Sequence, residues 1–296
     1  MRAYFLLVIT AVSASAVPVA AQEPVPLDAF YQRTAEDLRG GKPVVVVANY
    51  GMWHHKADQP EKNLNWGVYY GHSTMMRRAR KDGHIRKNYV HHDYRLVFER
   101  TQEVDPIRTL VFATEVRPNA RWKALGVDEP IRAYLVMHAW QSQEDAAVDA
   151  LRNIRKDAGE VLTMDDGPRL DTGAAQAAGY FGHNFFYDYE NFAWGGFSEV
   201  DGMPARPKGA FAVGCKTARV PGFPDWIGPN VHVLLFSRTL MASEGYSTLA
   251  LMDGILRQLN GRELVDHADA TYQYFQKLGD PERRVGRPFV SHDYRL

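Results

Sequence analysis

Two side chains in this sequence carry the chemistry of covalent catalysis. They are His183, which ends the apolar run AAGYFGH, and Cys215, which ends the run GAFAVGC. A thiolate attacks carbonyl carbon, and a neighbouring imidazole can take up the thiol proton and later deliver it to a leaving amine. That chemistry is acyl transfer, most simply peptide-bond hydrolysis. Each residue stands at the carboxyl end of a short apolar run, the edge of an open parallel sheet where sites assemble. Neighbouring strands lie about 4.8 Å apart. The 32 positions from His183 to Cys215 leave room for a parallel crossover of a dozen or more residues. Oxyanion donors would come from the backbone N–H groups of Asn184 and Cys215, and Gly182 and Gly214 permit close backbone approach.

A second reading stands beside this one. Cys215 is the single cysteine of the chain, so it forms no internal disulfide, and an unpaired cysteine often serves as a small buried hydrophobe. A histidine after an apolar run is equally often a hydrogen-bonded strand end. Those roles suit a noncatalytic binding or scaffold domain.

The elements that must position the pair follow from the hydrophobic pattern. The segment AFYQRTAEDLRGG reads as a short helix closed by Gly40 and Gly41, and KPVVVVAN is an unbroken β-branched run, the mark of a strand buried on both faces of a parallel sheet. NWGVYYGHSTMMRRARK predicts a helix with Trp66, Met75 and Met76 available for packing. DYRLVFERT and RTLVFATEV have strand composition, though their order in a sheet is not readable. IRAYLVMHAW predicts a strand leading into the helix SQEDAAVDALRNIRKDAG, with Ser142 as N-cap and acids in its first turn. VHVLLFS is a further strand. Two helices close the pattern, SEGYSTLALMDGILRQLNG stopped by Gly261 and ELVDHADATYQYFQKLG stopped by Gly279. Alternating short apolar strands and amphipathic helices predict an α/β fold with a mostly parallel sheet.

Composition narrows the classes. Hydrophobic residues make up 45% of the chain, as in an ordinary globular protein. Lys plus Arg and Asp plus Glu balance at 35 each, so no basic field exists to attract nucleic acid. The opening residues MRAYFLLVITAVSASAVPVAAQ combine a positive start, a short apolar run and an A-x-A-like ending, the pattern of a secretory signal peptide cut after Ala21. That run is shorter than the roughly 20 apolar residues of a membrane span. A periplasmic or secreted protein with no integral membrane segment after cleavage is expected. The expected divisions are 1–21 signal peptide, 22–42 N-terminal extension with a short helix, 43–280 α/β domain, and 281–296 C-terminal tail or edge strand.

The order of the buried strand VVVVAN, a following helix, a strand ending YFGHN and a later strand ending AVGC resembles the caspase, legumain, gingipain and clostripain clan of cysteine peptidases. The resemblance covers roughly residues 43–260. It implies a caspase-like three-layer α/β/α sandwich, a peptide or protein substrate, no cofactor, and catalytic roles for His183 and Cys215. The sequence departs from the clan in carrying Asn184 where a glycine usually follows the histidine, and Gly214 where an alanine usually precedes the cysteine. Within the aromatic stretch FFYDYENFAWGGF, Tyr187 and Asp188 are candidate substrate contacts, the other rings reading as packing. Asp188, Asp225, Arg238 and Glu244 lie near the pair in sequence and read as surface or capping residues, Glu244 in the first turn of a helix.

A different chemistry is metal binding by His54, His55 and Asp58, with His91, His92 and Asp93, and His72 and His84 between them. These are good ligand types at a spacing that fits no established motif. The chain lacks a G-x-x-x-x-G-K-[ST] phosphate loop, a G-x-S-x-G elbow and a C-x-x-C pair. Finally, YVHHDYRL at 89–96 and FVSHDYRL at 289–296 agree at six of eight positions; the pair reads as two similar strand segments, without an array around them.

Overall fold

The first element among the described residues is an amphipathic helix, α1 (Leu27–Arg39), whose Leu27, Phe30, Tyr31 and Ala35 are buried. The computed structural model describes residues 26–79, 92–164, 167–183, 202–220, 227–276 and 288–294. The leader-like stretch 1–21 lies outside the described residues. Gly40 closes α1, and Gly41, with φ of 78°, takes the left-handed turn that glycine makes without steric cost.

The valine run forms β1 (Val44–Gly51), buried along its whole length. The other strands of the main sheet are β2 (Arg95–Thr101), β3 (Arg108–Val116), β4 (Ile131–Trp140), β7 (Ala177–Gly182), β8 (Lys208–Val213), β9 (Val231–Ser237) and β10 (Phe289–Val290). Two short strands, β5 (Val161–Thr163) and β6 (Arg169–Asp171), make a separate ribbon. The eight-stranded sheet has the order β10-β9-β8-β7-β1-β4-β3-β2. From β9 to β4 all neighbours run parallel, while β3, β2 and β10 are antiparallel additions at the two edges. The order that sequence left unread for β2 and β3 is thus an antiparallel extension beyond β4.

Helices cover both faces, giving a three-layer α/β/α sandwich. On one face α1, α2 (His72–Ala79), α5 (Gly245–Leu256) and α6 (Gly261–Phe275) pack with Val44, Val46, Phe181 and Phe211. On the other, α4 (Gln143–Arg155) lays Ala147, Leu151 and Ile154 against Val45, Val47, Ala178 and Tyr180. The alternation of β1 side chains between these two cores explains why the strand needed valine at every one of its first four positions. Each such burial contributes about 1.5–3 kcal/mol relative to exposure. Ser142 caps α4 as expected, its hydroxyl accepting the Asp145 N–H at 3.1 Å.

Two local expectations are corrected. The helix expected from Asn65 starts only at His72, because Asn63 and Asn65 organise a turn instead. The Asn63 amide donates to the Trp53 carbonyl at 2.8 Å and accepts the Asn65 N–H at 3.0 Å, and His72 N–H returns to the Asn65 carbonyl at 2.9 Å. Gly261 does not stop α5. That helix ends at Leu256, and Gly261 opens α6 under a capping box in which Asn260 and Glu263 bond each other's backbone N–H groups. Gly279 lies outside the described residues. A short helix, α3 (Ala120–Ala124), was not anticipated; its Trp122 is fully buried and donates to the Leu256 carbonyl at 2.7 Å. Among the described residues, no helix is long and apolar enough to cross a membrane.

The repeated octamer finds a simple place. The described part of its first copy leads into β2 at one edge of the sheet, and the second copy contains β10 at the other.

Candidate active site

His183 and Cys215 come together by strand register. Strands β7 and β8 are parallel neighbours paired from Ala177–Gly209 to Phe181–Val213. Two residues on, at the carboxyl edge, stand His183 and Cys215. The approach is close: a Cβ placed on Gly214 would lie 3.0 Å from the Gly182 carbonyl oxygen and 3.4 Å from that of His183. Both His183 and Cys215 are half-buried.

The backbone around His183 is fixed from beneath. The Tyr180 ring lies across Gly51 and Gly182, where any Cβ would collide with it, and its hydroxyl donates to the His183 carbonyl at 2.9 Å. Strand pairing sets Gly51 beside Gly182, so two glycines on adjacent strands make the slot for one tyrosine. Above, the Trp53 indole meets the His183 imidazole edge-on, with centroids 4.2 Å apart and planes at 87°. Trp53 follows β1 by two residues and was missed in the sequence reading. The rule that singled out His183, a polar or aromatic residue just beyond a buried strand, would have found it.

Cys215 is held from the other side. Its thiol donates to the Met241 carbonyl at 3.2 Å and its sulfur receives the Met241 N–H at 3.4 Å. The next residue, Lys216, adopts a left-handed φ of 55° and donates its N–H to Thr239 at 2.9 Å. Thr217 and Ser237 bond each other and the Ala212 and Gly214 carbonyls, tying the turn after β8 to the end of β9. These contacts are mostly backbone, and nothing in the residue types announced them.

The segment carrying Met241 is itself anchored by a buried polar chain. His72 has no exposure; its Nδ1 lies 2.8 Å from the Thr248 hydroxyl and its Nε2 3.3 Å from that of Ser243. Thr248 also pairs with the Tyr50 hydroxyl at 3.0 Å. Burial pushes the His72 imidazole down to about 3, so it is neutral in the fold.

Among the remaining candidates, Asn184, Tyr187, Asp188 and Asp225 lie outside the described residues. Arg238 is half-buried, its N–H bonded to the Pro288 carbonyl at 2.8 Å. Glu244 was expected in the first turn of a helix as a capping group. It occupies the N-cap position of α5, but its side chain makes no capping bond. The carboxylate turns instead to Gln276 Nε2, which donates at 3.0 Å.

The histidines considered as metal ligands are scattered. His54, His55 and Asp58 are exposed in the turn after β1, His72 is buried in α2, and His92 faces Asp253 at 3.5 Å. His84 and His91 lie outside the described residues. Among the described residues, no group of three or more His, Cys, Asp or Glu side chains is arranged to hold a metal ion.

A half-buried thiol and a half-buried imidazole thus stand just beyond the ends of adjacent parallel strands, the imidazole against Trp53 and the thiol against the Met241 backbone. No protein-family model, curated protein or solved structure matches this chain.

Proposed function

We propose that the chain is an exported cysteine peptidase-like hydrolase of caspase-like architecture, with Cys215 as nucleophile and His183 as acid and base. The observation that supports this reading is the register of β7 and β8, whose last pair, Phe181 and Val213, stands two residues before His183 and Cys215 at the carboxyl edge. Strand β1 lies inside the sheet, flanked by β4 and β7, as its unbroken apolar run leads one to expect.

In this reading His183 takes the proton of the Cys215 thiol, and the thiolate attacks the peptide carbonyl carbon. The tetrahedral intermediate collapses to a thioester as the C–N bond breaks, and His183 gives its proton to the leaving amine. Water, deprotonated by His183, then attacks the thioester, releasing the acid and restoring the thiol. The backbone N–H groups of Cys215 and Asn184 serve as oxyanion donors.

The alternative is a noncatalytic binding or scaffold domain. One observation favours it: the thiol is already hydrogen-bonded within the fold, donating to the Met241 carbonyl at 3.2 Å.

The deciding experiment is iodoacetamide alkylation of the native chain beside Cys215→Ser and His183→Ala. Labelling that disappears in Cys215→Ser and slows at neutral pH in His183→Ala supports the enzyme. Labelling that requires denaturant and ignores His183 assigns the thiol to structure and leaves the scaffold reading.

A further inference from the structure

The side of the sheet far from Cys215 holds a cavity of about 850 Å³. Strand pairing builds its floor. Arg95 on β2 stands opposite Ala113 on β3, and Ala113 stands opposite Tyr134 on β4, so the three side chains form one row on one face. In the next row on that face, Glu115 stands opposite Arg132. Met164, which follows β5, and Pro168, which precedes β6, line the cavity as well. Arg132 and Tyr134 belong to the amino end of β4, which runs in the same direction as β1 and β7. The cavity therefore lies toward the amino edge of the sheet, away from the carboxyl edge where His183 and Cys215 stand.

Tyr134 is only 8% exposed, yet its hydroxyl makes no hydrogen bond among the described residues and is not sealed from the cavity. A buried tyrosine hydroxyl ordinarily finds a partner. Arg95, exposed at the start of β2, likewise makes no hydrogen bond or ion pair among the described residues. Arg100 on the same strand is instead gripped by both oxygens of Glu160, at 2.7 and 2.9 Å. Arg132 touches Glu115 through its Nε at 3.4 Å, an exposed pair of the weak kind, and its two terminal nitrogens remain for another acceptor.

These groups are complementary to an anion. Guanidinium nitrogens only donate, and they match the two oxygens of a carboxylate. Arg95 and Tyr134 are two strand spacings apart, about 10 Å at the backbone, a gap that two long side chains can close around one ligand group. Asp93 and Glu115 also line the cavity and would repel a multiply charged ligand. The remaining surface, from Val97, Met164 and Pro168, is apolar and suits a hydrocarbon body. The volume falls within the range of about 300–1,000 Å³ typical of small-molecule sites.

We propose that this cavity binds a small organic acid with one carboxylate on an apolar body, the carboxylate held by Arg95, Arg132 and the Tyr134 hydroxyl. The site is independent of the Cys215–His183 reading and stands or falls without it.

The test titrates the full chain by ligand-observed NMR with hexanoate, octanoate, hydrocinnamate and naphthoate, with the primary amide of each, and with inorganic phosphate. At least one of the acids is expected to bind with a Kd of about 1 mM or tighter, and about tenfold or more tightly than its amide. Arg95→Gln and Tyr134→Phe are each expected to weaken that binding about fivefold or more. Neither should lower Tm, since neither removed group has a partner in the fold to lose. Failure of all the acids to bind overturns the proposal, as does equal binding of acid and amide, or binding that survives both substitutions. Phosphate binding without any organic acid leaves a simple anion site and overturns it too. Should Tyr134→Phe be unstable, Arg95→Gln, at an exposed position, decides alone. Prior alkylation of Cys215 should leave the affinity unchanged, and its loss would place the binding at the thiol and refute the cavity.

Discussion

Phe181 on β7 pairs with Val213 on β8, and two residues beyond each member of that pair His183 and Cys215 stand at the carboxyl edge. Because parallel register is set along the whole of both strands, the sheet delivers the two segments to the same edge, and the turns just beyond it complete the placement. Disturbing the strand ends should therefore disturb the pair.

Gly182 is the sharpest point at which to do so. Its Cβ would displace the Tyr180 ring that supports the His183 carbonyl. Gly182→Ala is expected to cost about 1–3 kcal/mol in urea unfolding and to slow the His183-dependent part of Cys215 alkylation. Tyr180→Phe, which loses only the hydrogen bond, should cost about 1 kcal/mol. Unchanged alkylation in a folded Gly182→Ala protein would show that the tyrosine slot does not position the histidine.

The Met241 clamp predicts a modest structural role for the thiol independent of catalysis. Cys215→Ala leaves the Met241 carbonyl and N–H without their sulfur partner, and a loss of about 1 kcal/mol is expected. Cys215→Ser keeps a donor and an acceptor there and should cost less. Thermal unfolding of the two variants side by side measures the difference.

Acid sensitivity follows from the buried histidines. Burial lowers His72 to about 3 and His138 to about 4, the Glu160 carboxylate partly opposing the effect at His138. Both are neutral in the fold, while in the unfolded chain each protonates near its ordinary value of about 6.5. The unfolded state thus binds more protons below that pH, and stability falls as pH drops from about 6.5 toward 4. Each histidine adds a slope of about 1.4 kcal/mol per pH unit across that window. Urea midpoints measured from pH 7 to 4 should follow this fall, and His72→Gln should flatten it.

Lys208 is fully buried on β8, with Nζ donating to the Asn153 carbonyl at 2.7 Å and to the Gly173 carbonyl at 3.0 Å, and pairing with Asp157 at 2.6 Å. Lys208→Met leaves those acceptors and the carboxylate uncompensated. A cost of about 2–4 kcal/mol is expected, the partial exposure of Asp157 keeping it below the cost of a wholly buried pair. Adding Asp157→Asn should restore part of the loss, and strict additivity in that double variant would refute the coupling.

Much of this molecule is legible in its residues. The valine run identifies a strand buried on both faces because no polar residue interrupts it, Ser142 followed by acids marks the start of α4, and the apolar runs before His183 and Cys215 mark parallel strands. These are local signals, carried by side-chain type and period. Where the outcome depended on distant partners, the sequence alone was insufficient. The segment from Asn65 to Gly71 has helical composition, yet Asn63 bonds Trp53 and His55 across the turn and the helix waits until His72.

The same division runs through the candidate site. Residue type nominated a thiol and an imidazole, and the apolar runs placed both at strand ends. Only the pairing of β7 with β8 decided that they are opposite one another. Only the return of the chain after β9 decided that Met241 grips the sulfur and that Glu244, instead of capping α5, turns toward Gln276 and Tyr246. Backbone hydrogen bonds and burial are made between segments far apart in the chain, and for that reason no single stretch encodes them.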